Sequence, residues 1–174
     1  MRSFSEERRT GTIELLLTKP LSEWQIVMAK FWAGLILVVI ALIPTLVYYI
    51  TVYRLGSPVG NLDSGGIWGS YLGLIFLASA YVSIGLFCSS LTDNQIVAFL
   101  AAALLTFVIY SGFQSLASFD LLGTADSYLS NLGMQSHFNS LGRGVVDSRD
   151  VVYFIILSAI FLMLTRLVLL SRKW

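Results

Sequence analysis

Four long apolar runs, at positions 24–53, 67–91, 95–117 and 151–170, set the limits on what this chain can fold into. A run of roughly 20 apolar residues crosses the ~30 Å hydrocarbon core of a bilayer as a helix. Backbone polar groups find no water there, and a helix satisfies them within the segment. Composition agrees: 56% of residues are hydrophobic and 12% charged, against about 25% charged in a typical soluble domain. The expected fold is therefore all-α, a polytopic membrane helix bundle with four transmembrane helices. The transmembrane domain covers 24–174 and is preceded by a polar segment, 1–23.

Local signals mark where the helices begin and end. Ser3-x-x-Glu6 has the pattern of a capping box for a short helix reaching about Arg9. Thr10-Gly11-Thr12 reads as a turn, and Ile13, Leu16 and Leu17 then share one face of a second short helix. Lys19-Pro20 ends it, because the residue before proline avoids the α region. Ser22-Glu23-Trp24-Gln25 is a further capping box and opens the first span. At 1.5 Å per residue the run 24–53 would extend about 45 Å, so it must tilt, protrude or bend. Pro44 is the obvious hinge. Trp24 and Trp32 near one end and Tyr48, Tyr49 and Tyr53 near the other form the aromatic belts of two interfaces.

The turn Thr92-Asp93-Asn94 is short enough to force spans two and three into an antiparallel hairpin. The connection 118–149 mixes Phe119, Leu121, Tyr128, Leu132, Phe138 and Leu141 with polar residues, and reads as short interfacial or re-entrant helices. Gly69/Gly73, Gly85/Ser89 and Ala98/Ala102 are small pairs at the four-residue spacing that lets helices approach closely in lipid.

Of the 11 Lys and Arg residues, Arg2, Arg8, Arg9, Lys19, Lys30, Arg166, Arg172 and Lys173 fall on one side of a four-span arrangement. Arg54, Arg143 and Arg149 fall on the other. The positive-inside rule then puts both ends of this chain in the cytoplasm. The first nine residues mix acids with bases and lead into no apolar core, so they are not a signal peptide.

Several function classes lack their residues. A net charge of +1 gives no bulk attraction to nucleic acid. The one cysteine, Cys88, lies inside a span and reads as a small buried apolar residue. The one histidine, His137, stands in the connection 118–149 with no cluster of metal ligands around it, and a structural role suits it better than that of a catalytic base. No acid and no arginine falls near the centre of a span, as ion-driven carriers usually require. Lys30 is close enough to the first interface to snorkel. Thr45, Ser79, Ser83, Thr106, Tyr110 and Ser111 are the mild polar residues at depth; helix-to-helix hydrogen bonding is their simplest use, a substrate path the alternative. The sequence has no GxxxxGK[ST] phosphate loop.

The lead segment carries the functional signal. A charged helix, a Gly elbow and a short amphipathic helix precede the first span; this is either a solvated interfacial flank or a docking helix for a cytoplasmic partner. The stretch Glu7-Arg8-Arg9-Thr10-Gly11-Thr12-Ile13-Glu14-Leu15-Leu16-Leu17-Thr18-Lys19-Pro20 resembles the coupling-helix signature of ABC-2 type transporter permeases. His137-Phe138 and residues 143–154 are similar to the last outer loop and final span of that family. The stretch 15–60, with Leu42-Ile43-Pro44-Thr45 and Leu55-Gly56-Ser57-Pro58-Val59-Gly60, resembles the gliding-motility-associated permease within it, as does Asp93-Asn94-Gln95-Ile96-Val97-Ala98-Phe99.

The resemblance implies the membrane subunit of an ATP-driven exporter in a bacterial cytoplasmic membrane. It implies no cofactor in this chain, since ATP and Mg would sit on a partner ATPase, and it implies a second permease copy or a paralogue. It places ATPase coupling on Glu7, Arg8, Gly11, Thr12, Ile13, Glu14, Leu16, Leu17 and Pro20, with Glu14 docking and Ile13, Leu16 and Leu17 anchoring. Such permeases have six spans, with the coupling segment after the second, so the chain is expected to be one lacking its first two. A non-transporting scaffold or assembly subunit of a motility or secretion complex is the alternative function.

Overall fold

The structure is a computed structural model, which describes residues 3–10, 22–118, 131–144 and 146–171. Six helical elements order the described residues: α1 (Ser3–Arg9), α2 (Glu23–Leu55), α3 (Ser64–Leu91), α4 (Gln95–Ala117), α5 (Met134–Gly142) and α6 (Ser148–Ser171). Helices α2, α3, α4 and α6 are long and apolar enough to cross a membrane, so the all-α bundle with four spans stands.

The spans begin where side chains can cap them, which is earlier than hydropathy alone indicates. Asp63 Oδ1 accepts from the Gly66 N–H at 3.0 Å, so α3 starts at Ser64 instead of 67. Asp147 Oδ1 accepts from the Arg149 N–H at 2.9 Å, and α6 starts at Ser148 instead of 151. The capping box at α2 forms as expected: the Gln25 N–H donates to Ser22 Oγ at 3.3 Å, and the Ser22 N–H donates to Gln25 Oε1 at 3.0 Å. Within α2, Ile43–Thr45 is a 3₁₀ turn at Pro44, whose missing N–H breaks the α-helical ladder. Thr45 Oγ1 and the Tyr71 hydroxyl lie 2.9 Å apart and tie that turn to α3. A π-helical stretch, Val108–Gly112, interrupts α4.

Helix α3 is the centre of the bundle and touches each of the other five helices. In its most apolar stretch 44% of residues are buried, against 28% in α6 and 11% in both α2 and α4. The reason lies in its small residues. Gly69, Gly73, Ala80, Ser83, Gly85, Cys88, Ser89 and Ser90 are all buried on it, and each lets a neighbouring backbone approach. Cys88 is buried as the sequence suggests, and so are all three small-residue pairs.

Buried hydroxyls bond back to their own helices: Ser83 to Ala80 O, Ser90 to Phe87 O and Thr165 to Phe161 O, each at 2.7 Å. Ser79 and Ser158 hydroxyls meet at 3.1 Å between α3 and α6. The polar residues at depth that are described thus include helix-to-helix bonds of the kind composition suggested.

The expected helix in the 118–149 connection is α5. It packs across α3, with Met134 and Leu141 fully buried. Residues 119–130 and 145 lie outside the described residues.

Candidate functional site

Two polar constellations stand at opposite ends of α3. One surrounds Ser89, the other surrounds His137 on α5, whose end packs on Gly69; at 1.5 Å per residue Ser89 and Gly69 are separated by about 30 Å along the helix axis.

The first constellation fixes α1. A helix begins with N–H groups that no residue of its own can satisfy. In α1, the N–H groups of Phe4 and Ser5 both donate to Ser89 Oγ at 3.0 Å, so a serine of the second span caps a helix 84 positions earlier in the chain. Ser3 is itself helical here, and this capping of α1 reaches across the fold. The Phe4 side chain is 1% exposed and packs with Val27, Phe31, Leu86 and Leu162, which brings α1, α2, α3 and α6 into one apolar cluster.

Charge completes the clamp. Lys30 Nζ lies 2.5 Å from Glu7 Oε1 and 4.7 Å from the centre of the Phe4 ring. Lys30 therefore does more than snorkel toward the interface; it closes over α1. At the same end the Arg166 guanidinium lies 6.0 Å from the Trp24 ring and links α6 to the start of α2. Beside Lys30 an apolar groove of about 800 Å³ runs between α2 and α3, walled by Gly34, Leu37, Tyr81, Val82 and Leu86.

Of the residues singled out in the sequence, Glu7 is in the clamp, and Pro44 is in the 3₁₀ turn of α2. Arg8 lies in α1, with its side chain outside the description. Gly11, Thr12, Ile13, Glu14, Leu16, Leu17 and Pro20 lie outside the described residues, which resume at Ser22, the cap of α2. Phe4 and Ser89 were missed by sequence reasoning. Phe4 offers no periodic pattern in a seven-residue helix, and Ser89 reads as one more small residue of a span.

The second constellation holds His137. Its Nδ1 lies 2.6 Å from Asp150 Oδ1 at the start of α6, and its Nε2 lies 2.8 Å from the Asn131 carbonyl oxygen. The ring stacks on Tyr153 at 4.1 Å, and the Tyr153 hydroxyl donates to Leu132 O at 2.6 Å. The lone histidine thus joins α5 to α6. Among the described residues no group of three His, Cys, Asp or Glu side chains is placed to hold a metal ion.

The family model described as "ABC-2 family transporter protein" matches residues 1–173. Comparison with curated proteins and with solved structures returned no match.

Proposed function

The chain belongs to the ABC-2 transporter family, and on that premise we propose that it is the membrane subunit of an ATP-driven exporter, moved by a separate ATPase that docks on residues 11–20. In this reading both ends of the chain face the cytoplasm, ATP and Mg stay on the ATPase, and a second permease copy or a paralogue completes the transporter in a bacterial cytoplasmic membrane. Glu14 is the docking contact. Ile13, Leu16 and Leu17 seat the segment on the bilayer or the partner, Gly11 and Thr12 form the elbow, and Pro20 ends it. A role in gliding motility is the narrower form of the proposal and rests on the sequence likeness of residues 15–60.

The observation that carries this reading is the clamp on α1. The described residues on either side of 11–21 are both fixed: α1 is held by Phe4, Ser89 and the Glu7–Lys30 pair, and the start of α2 is capped. A push on such a segment is delivered to the spans instead of being absorbed by a loose tail. The 3₁₀ turn at Pro44 supports a bend midway along the first span driven.

Reconstitution with the cognate ATPase tests the proposal. Glu14→Arg is expected to abolish the subunit-dependent part of ATP hydrolysis while membrane insertion is retained. Hydrolysis unchanged in the reconstituted mutant complex would remove Glu14 from the docking role. An ATPase whose activity is indifferent to the subunit as a whole would favour the scaffold reading instead.

A further inference from the structure

Helix α6 carries a charge inside its apolar run. Arg166 stands five residues before Ser171, where α6 ends, which is about 7 Å along the axis. Leu167, Val168, Leu169 and Leu170 follow it, so the guanidinium starts a full turn within the apolar stretch. An arginine keeps its charge in such a place. A charge at that depth is costly until it reaches the interface or meets an anion. Among the described residues Arg166 is paired with no carboxylate, and its guanidinium lies over the Trp24 ring at 6.0 Å. Lys30, the other cation within a span at this end, is engaged by Glu7.

A cavity of about 520 Å³ opens beside this charge, lined by Ser22, Trp24, Met163, Arg166, Leu167 and Leu170. That is within the range of about 300–1,000 Å³ typical of small-molecule sites. Its lining has two parts. Ser22 and Trp24, from the start of α2, join Arg166 in a polar part. Met163, Leu167 and Leu170 form an apolar stripe on one face of α6, at i, i+4 and i+7. Met163 and Leu167 are 58% and 59% exposed, whereas Phe161, Leu162, Thr165 and Leu169 bury the other side of the helix in the bundle. We propose that this cavity binds an anionic phospholipid, with its phosphate on Arg166 and Ser22 and an acyl chain against Leu167 and Met163.

Charge, hydrogen bonding and depth agree on this occupant. A guanidinium offers two parallel N–H groups to two phosphate oxygens. Ser22 Oγ accepts from the Gln25 N–H at 3.3 Å, which leaves its own hydrogen to donate to the phosphate. Trp24 places an indole at the level of lipid head groups. Glu23 begins α2 but does not line the cavity. Basic pockets between spans are established sites for anionic head groups. A head group with no cation of its own suits a site with a single arginine, because a zwitterionic head brings a second positive charge beside the first. The bound lipid ties the start of α2 to the end of α6. The site stands apart from the transport reading, since it requires only that these helices cross a bilayer.

Lipid titration of the full chain in a non-ionic detergent tests the site, with bound lipid counted by native mass spectrometry. The probes are phosphatidylglycerol and phosphatidylcholine with the same acyl chains. The wild type is expected to bind its first phosphatidylglycerol about tenfold more tightly than phosphatidylcholine, the worth of one charge-assisted contact. Arg166→Gln should remove that preference. Arg166→Lys keeps the charge but loses the fork, and should fall between the two. Arg54→Gln, at the other end of α2, should leave the preference intact. Equal binding of the two lipids by the wild type overturns the proposal. So does a preference that survives in Arg166→Gln, which would mean that anionic lipid gathers on the basic end at large. Photocrosslinking of the wild type decides the matter if the Arg166 variants fail to fold. Phosphatidylglycerol with a diazirine in its acyl chain should label residues 163–170 several-fold more than the matching phosphatidylcholine, and labelling of that stretch no stronger than with phosphatidylcholine rejects the site.

Discussion

Phe4→Ala is expected to release α1 from the bundle while leaving the four spans in the membrane. The side chain is 1% exposed among residues of α2, α3 and α6, and truncating a buried phenylalanine costs about 3 kcal/mol or more. Two of the contacts that remain, the N–H bonds to Ser89 and the Glu7–Lys30 pair, depend on α1 being seated. Trypsin reads the outcome directly, because Arg8 and Arg9 lie in α1 and are cut when it opens. Cleavage there should accelerate at least tenfold, since about 1.4 kcal/mol of local stability is a factor of ten in the open population. Lys30→Met keeps the aliphatic stem on Phe4 and removes the charge. A partly exposed ion pair is worth about 1 kcal/mol, so cleavage should rise only about fivefold. A Lys30 effect larger than that of Phe4 would mean that charge, and not apolar burial, seats the helix.

The second large effect is expected at Gly69. A Cβ built there would lie 2.3 Å from the Leu141 carbonyl oxygen and 3.0 Å from Gly144 Cα, both backbone atoms. Gly144 cannot easily yield. It has φ +83°, in the left-handed region, and its own Cβ position lies 2.6 Å from the backbone of Gly65. Gly69→Ala must therefore lift the end of α5 off α3, at a cost of about 2–3 kcal/mol by comparison with overpacked cores. Gly73, one turn along, is the internal control. A Cβ there would meet side-chain atoms of Leu141 and Phe138 at 3.3–3.4 Å, and these can shift, so Gly73→Ala should cost under about 1 kcal/mol. Thermal unfolding in detergent should rank the two variants clearly. Equal melting temperatures would show that the turn at 141–144 is not held by α3.

These two sites also show where sequence reading stops. The pair Gly69/Gly73 is recognisable as a close-contact motif, but its spacing suits any helix. Its partner is the short helix α5, and no property of the two glycines says so. Phe4 looks like an isolated aromatic in a charged segment. Its burial depends on Val27, Leu86 and Leu162, each from a different span. His137 invites a search for metal ligands or a nucleophile, whereas its decisive neighbour is Asp150, thirteen residues on, which reads as helix-start charge. The coupling role proposed for Glu7 rests only on its likeness to a permease motif, and its bond to Lys30 spans 23 positions.

The sequence by itself determined the four crossings and most of their limits. Hydrocarbon imposes helix on any long apolar run, and capping residues act within three or four positions, so both follow from local order alone. It also marked which small residues would be buried, though not against what. Only the tertiary structure decided that α3 is the central helix, that Ser89 caps α1 and that His137 joins α5 to α6. Those facts depend on which faces meet once the helices are side by side. In lipid that choice is made by close packing and by a few polar groups seeking partners, and an apolar periodicity pointing equally well toward acyl chains does not encode it.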